Sequence, residues 1–305
     1  MKEMKKMKRT VLLFMLVIAT CSVYAQTGTY KSGSVLWKIS GKDLSQPSYL
    51  LGTLHFKSGE YLDSISGARA AFQSCEQVVG EIPMSDMAGL QMQMMQAMMM
   101  KPDTTYKMLY SDEDYQFVNE QLVSLTGTGL GQLGMMKPAA LQLTVVALTY
   151  AKHFPDLNLM NTLDIRIQAE ATQEQKPVLG LETADDQIRV LFGILNLQRQ
   201  ADALLCYLKN IDKVLALIPE QINDYNAGDL NRLYLQLADD EICPSPPSEL
   251  DALNKDRNNA WMKKLPEMMK DKPSFIAVGA LHLAGEEGLL NQLELLGYKV
   301  EAVGL

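Results

Sequence analysis

Two histidines occupy the same local setting in this chain of 305 residues. His55 closes the run Tyr49-Leu50-Leu51-Gly52-Thr53-Leu54-His55, and His282 closes Phe275-Ile276-Ala277-Val278-Gly279-Ala280-Leu281-His282. Each run is apolar, then Gly, two residues and His. The chain carries three histidines in all. The third, His153, lies outside any motif and reads as a helix-terminal residue favoured by the helix dipole. Two carboxylates share a related pattern, with Glu81 after Val78-Val79-Gly80 and Glu182 after Val178-Leu179-Gly180-Leu181. A carboxylate closing an apolar run is paired, hydrogen-bonded, solvated or metal-bound, because an isolated buried charge costs too much. Arg257, on a helical stretch, offers a planar fork suited to a carboxylate or an oxyanion, or to an ordinary surface ion pair.

These residue types support three kinds of function. Two neutral imidazoles and a carboxylate can hold a divalent metal and leave positions open for water, whose pKa the metal lowers. His55, Glu81 and His282 are then the ligands, and Glu182 is a fourth ligand or the general base. His/carboxylate sites suit several metals, so Mn, Co and Zn all stay open. The same groups can also hydrolyse without metal, with His55 deprotonating water and Glu81 orienting it. In the hydrolytic readings Arg257 holds a developing oxyanion or a substrate carboxylate. The third function is binding without turnover, of a peptide.

The elements that position these residues follow from the hydrophobic pattern. Each Gly-x-x-His run reads as strand, turn, helix and strand, the second strands falling at 76–81 and 298–303. A histidine just past a strand's carboxyl end lies where open α/β sheets bind ligands. Packed as a pair, the two units bring His55 and His282 to one cleft. The expected fold is α/β, with α+β character. Duplicated β/α units form a central sheet, and a large helical insertion, about 84–272, separates them. Residues 35–39 and 49–51 flank a loop and read as a hairpin. Within the insertion, 138–151 and 161–169 read as helices, 177–181 as a short strand and 250–262 as one helix. The Met-rich stretch 91–100 reads as a flexible helix with an adaptable apolar surface. No His or Cys interleaves those methionines, which argues against a Cu(I) site. The glycine-rich stretch 127–134 lacks a following Lys-Ser or Lys-Thr and is not a phosphate loop.

Residues 1–25 read as a secretory leader, with Lys2, Lys5, Lys6, Lys8 and Arg9 ahead of an apolar core and Val23-Tyr24-Ala25 at the cleavage site. Cys21 supplies the alternative of a lipoprotein anchor, the one route to a membrane. The expected location is periplasmic or secreted, with residues 26–305 as a single domain. Losing five basic groups and one acidic group with the leader takes the net charge from −8 to −12. An acidic chain without a Lys/Arg cluster excludes nucleic acid as the expected partner. A peptide or other small-molecule substrate is expected instead. Cys75, Cys206 and Cys243 remain; Cys206 and Cys243 are the preferred disulfide pair, and Cys75 reads as a buried small hydrophobe.

The chain resembles the TraB/GumN family, which is related to the Tiki proteases and more remotely to the erythromycin esterase and ChaN-like group. The resemblance rests on Gly52-Thr53-Leu54-His55, Glu81, Leu181-Glu182-Thr183 with Gln187, Arg257-Asn258 and Gly279-Ala280-Leu281-His282-Leu283-Ala284-Gly285. It implies an α/β core with a helical insertion and a site built from His55, Glu81 and His282. The Tiki relatives imply metal-dependent peptide cleavage with manganese or cobalt. The esterase relatives imply that the histidine acts as general base on water, and the ChaN-like relatives imply haem binding.

Overall fold

The apolar runs form strands where both faces find cover. The computed structural model describes residues 32–88, 91–154, 161–238 and 241–304. β1 (Leu36–Ser40) and β2 (Ser48–Thr53) make the expected antiparallel hairpin, with Leu36 opposite Leu51. A 3-10 turn (Gly59–Ser64) and α1 (Ala68–Ser74) lead into β3 (Gln77–Gly80). Helices α2 (Met84–Ala88), α3 (Gln91–Ala97), α4 (Asp112–Thr126), α5 (Leu130–Leu133) and α6 (Pro138–His153) follow. α7 (Leu163–Gln173) returns to the sheet and delivers β4 (Val178–Gly180). Next come α8 (Ala184–Phe192), α9 (Leu197–Lys209), α10 (Ile211–Asn226), α11 (Leu230–Ala238), α12 (Pro247–Leu253), α13 (Lys255–Trp261) and α14 (Leu265–Asp271). β5 (Ser274–Gly279), α15 (Leu289–Leu295) and β6 (Lys299–Ala302) close the fold.

The six strands run in the order β4-β3-β5-β2-β1-β6. β4, β3, β5 and β2 are mutually parallel, while β1 is antiparallel to both β2 and β6. Parallel strands are covered on both faces, and every residue of β3 and β5 is buried. The two Gly-x-x-His units are neighbours, because β2 pairs with β5. Their second strands diverge: β3 inserts beside β5, whereas β6 caps the far edge against β1.

Two apolar cores result. One surrounds the sheet and joins Leu50, Val79 and Phe275 to Phe72 and Trp261. The other lies among helices α4, α6 and α9, around Val118, Leu122, Val145 and Leu204. The stretch 250–262 is two helices rather than one. Asn254, at φ −124° and ψ −72°, breaks it. The Asn254 side chain donates to the distant Leu281 carbonyl and accepts from Asn258, so it is held by partners outside its own helical turn.

The described residues form one unit. The expected leader, 1–25, and Cys21 lie outside the described residues. Among the described residues no helix is long and apolar enough to cross a membrane. Cys206 and Cys243 form the expected disulfide, and Cys75 is free and buried. The disulfide closes a loop across 37 positions. The double variant Cys206→Ser/Cys243→Ser is therefore expected to lose about 4 kcal/mol of unfolding free energy, from the restored loop entropy of the unfolded chain. Urea melts of the two proteins check this; a loss under about 1 kcal/mol would contradict it.

Candidate functional site

Every strand of the parallel set ends in a candidate residue. Glu182 follows β4, Glu81 follows β3, His282 follows β5 and His55 follows β2, so all four sit at one edge of the sheet. Register aligns them: Gly80 pairs with Gly180 and Ala277, and Thr53 pairs with Gly279. Gly279 is the floor of the site. A Cβ there would lie 3.3 Å from His55 Nε2, 3.4 Å from Glu81 Oε1 and 3.6 Å from His282 Cδ2. The missing side chain thus lets three functional groups close on this one backbone position, the Gly279 notch, the nearest at a distance tight even for a Cβ. Gly80 is constrained differently, since Gln168 packs where its Cβ would be and bonds both Ile82 O and Met84 N. That brace from α7 holds the turn carrying Glu81.

Arg257 of α13 lies across both carboxylates. Its Nη2 donates to Glu81 Oε2 at 2.5 Å and to Glu182 Oε1 at 2.6 Å, and its Nε donates to Glu182 Oε2 at 3.0 Å. Its Nη1 donates to Leu253 O at 3.3 Å and to His282 Nε2 at 2.9 Å. A guanidinium has five N–H donors, and these five contacts engage them all. Arg257, expected to meet an oxyanion or a substrate carboxylate, is here committed to the protein's own carboxylates. Glu81 also accepts from the Gly279 N–H at 2.9 Å, and Glu182 from Trp261 Nε1 at 3.3 Å. The Trp261 ring packs 4.4 Å from the His282 ring and 4.8 Å from the guanidinium.

His55 stands apart from this buried cluster. Its side chain is 69% exposed. Its Nδ1 lies 3.3 Å from Asp164 Oδ2, while Thr53 Oγ1 donates to Asp164 Oδ1 at 2.7 Å. Asp164 sits in the first turn of α7, whose start is stitched to the loop after His55. Gly59 N donates to Asn161 O at 2.8 Å and Leu163 N to Lys57 O at 3.2 Å. The end of β2 is pinned by Tyr225, whose hydroxyl donates to Gly52 O at 2.8 Å.

The two histidines take opposite protonation states for physical reasons. The hydrogen bond and charge of Asp164, with Glu81 beyond, raise the pKa of His55 above its ordinary value. Burial pushes His282 down to about 3, against the pull of Glu81 and with the push of the Arg257 charge, so it is neutral at pH 7. Burial acts to raise Glu81, but the positive groups around it and the Gly279 N–H outweigh burial and hold it well below the usual carboxylate range.

His55, Glu81 and His282, the expected metal ligands, do converge on Gly279. Their donor atoms, however, are engaged by Arg257, Asn258, Asp164 and the Gly279 N–H, with His55 Nε2 facing the notch. Among the described residues no group of three or more His, Cys, Asp or Glu is arranged to hold a metal ion. A divalent cation does not fit this arrangement, because Arg257 already supplies the positive charge and sits on the donors. Sequence reading missed Asp164 as a site residue. The available signal was its first-turn position in a helix, which marks helix starts far more often than sites.

The model of the TraB/PrgY/gumN family matches residues 35–302. A protein named Uncharacterized protein YbaP, from Escherichia coli (strain K12), is 31% identical over 143 residues, 43% of this chain and 47% of that protein. The Shigella flexneri protein of the same name matches to the same extent. The chain spans about half the length of these curated relatives. No solved structure matches the chain.

The clamp predicts how stability responds to acid. Glu81, with its lowered pKa, contributes stability above the ordinary glutamate value of ~4.3, and that contribution is lost as pH falls through the folded value. His282, about 3 in the fold against ~6.5 unfolded, contributes above ~6.5 and loses its contribution as pH falls toward 3. Both favour neutral over acid pH. Arg257→Met is expected to cost about 3–5 kcal/mol at pH 7, because it leaves two carboxylates unpaired. The cost is smaller at pH 4, where Glu81, without the guanidinium that holds its pKa down, takes up a proton. Urea melts of both proteins at the two pH values check this, and equal losses would contradict it.

Proposed function

The chain belongs to the TraB/PrgY/gumN family, and from that premise we propose that it is a hydrolase in which an Asp164–His55 pair activates water without a bound metal. The oriented histidine carries this reading. Asp164 accepts the Nδ1 proton of His55, so that once the ring gives up its second proton the Nε2 lone pair faces the Gly279 notch. We place the attacking water beside this notch, between His55 Nε2 and Glu81 Oε1. His55 takes one proton as the water oxygen attacks the substrate carbonyl carbon. Glu81, kept ionised, accepts a hydrogen bond from the other proton and fixes the lone pair that attacks. The proton on His55 then passes to the leaving group as the acyl bond breaks. Arg257 holds Glu81 and Glu182 in place and takes no part in proton transfer.

Peptides are the favoured substrates, with other small acyl compounds as the alternative. Helix α2 begins three residues past Glu81, and α3 continues the methionine-rich stretch with Met92 71% and Met95 67% exposed. Such side chains adapt to varied apolar partners. The competing reading is a metallopeptidase using Mn, Co or Zn on His55, Glu81 and His282. The convergence of those three side chains on Gly279 favours it, and it requires Arg257 to leave both carboxylates. Haem binding finds less support, since both ring nitrogens of His282 are engaged. Export to the periplasm or medium is part of the proposal; the basic-apolar leader and the Cys206–Cys243 disulfide support it.

Turnover of a peptide and ester panel, with and without exhaustive chelation, tests this. The rate is expected to survive chelation and to fall roughly 10²–10⁴-fold in His55→Ala. It rises with pH as His55 loses its proton. Asp164→Asn lowers the His55 pKa, so it moves the rising limb to lower pH and reduces the plateau. Activity that vanishes on chelation and returns with Mn²⁺ belongs to the metallopeptidase reading. Activity unchanged in His55→Ala would end both.

A further inference from the structure

One fully buried polar side chain beside the site has no part in the proposed proton transfers. Asn258 follows Arg257 on α13 and is 0% exposed. Its Nδ2 lies 2.8 Å from Glu287 O, 3.1 Å from His282 O and 3.0 Å from Asn254 Oδ1. The first two are backbone carbonyls, which only accept. The third is an acceptor too, because the other amide atom of Asn254 donates to Leu281 O. Three acceptors around one atom identify it as the nitrogen. The atom 2.7 Å from His282 Nδ1 is therefore the Asn258 oxygen, and an amide oxygen can only accept.

On the other side of the ring, His282 Nε2 faces Arg257 Nη1 at 2.9 Å, and a guanidinium can only donate. Of the three states open to an imidazole, one satisfies both neighbours. With the proton on Nε2, lone pair would meet oxygen and N–H would meet N–H. With both nitrogens protonated, N–H would still meet the guanidinium. We propose that Asn258 is a positioning residue: it fixes the His282 proton on Nδ1, so that Nε2 receives Arg257 and the guanidinium stays across Glu81 and Glu182. The Leu253 carbonyl and His282 together hold Nη1, which leaves Nη2 and Nε for the two carboxylates. The link from this clamp to catalysis rests on the hydrolase reading; the proton position does not.

Long-range ¹H–¹⁵N spectra of the full chain, labelled at histidine, read the ring protons directly. Only three histidines contribute, and His282→Gln assigns its signal by loss. The expected wild-type result at pH 7 is one neutral His282 tautomer, with the proton on Nδ1. Asn258→Asp keeps an acceptor oxygen and is expected to keep a proton on Nδ1. Asn258→Ala removes the acceptor that holds the ring, and the signal becomes a mixture of both tautomers as Arg257 Nη1 parts from Nε2. A wild-type Nε2–H tautomer overturns the proposal, as does an unmixed Nδ1–H signal in folded Asn258→Ala. If that variant does not fold, the wild-type and Asn258→Asp spectra still decide: a proton on Nδ1 in both supports the assignment, and its absence from either overturns it. Failure of the hydrolase reading looks different, with the expected spectra and no turnover.

Discussion

Two carboxylates at the ends of adjacent parallel strands impose the central constraint. Glu81 and Glu182 are both largely buried where β3 and β4 stop. Side by side without a counter-charge, they could not both remain ionised in so dry a place. Arg257 resolves this with a fork that bonds both. The rest of the structure serves to deliver that fork. α13 is anchored by Trp261, which is fully buried in the sheet core, and by Asn258 beneath it. Lys264, just past α13, donates to the Leu181 carbonyl and ties that segment to the Glu182 turn.

Around this clamp the same sequence motif yields two different histidines. His282 is buried, neutral and bonded at both nitrogens. His55 is exposed, paired with Asp164 and raised in pKa. Gly-x-x-His supplies only the placement, past the end of a parallel strand and above Gly279. Burial and the nearest charge decide the rest. The division separates a rigid inner cluster from an accessible outer pair, and the notch at Gly279 is where the two meet.

Much of this was legible in the sequence. Apolar runs closed by His55, Glu81, Glu182 and His282 identify four strands and place one chemical group at the end of each; the run before Glu182, expected to be buried, is only half-buried because β4 is an edge strand. The pairing of β2 with β5, which joins the two motifs, follows from that repetition. Other features depend on partners that no local pattern reveals. Asp164 belongs to the site only because the start of α7 is bonded to the loop after His55. Arg257 reads as a partner for a carboxylate, an oxyanion or a surface ion pair until all five of its donors are counted in three dimensions. The break at Asn254 is invisible in helical periodicity, because its cause is a carbonyl on the far side of β5, that of Leu281.

The metal-free site requires Arg257 to keep its place when a cation is offered. The most direct measurement is a crystal structure grown with excess Mn²⁺, with anomalous data collected at the manganese edge. The guanidinium is expected across Glu81 and Glu182, with no anomalous peak within coordinating distance of His55, Glu81 and His282. A peak among those three side chains, with Arg257 turned away from the carboxylates, would contradict it.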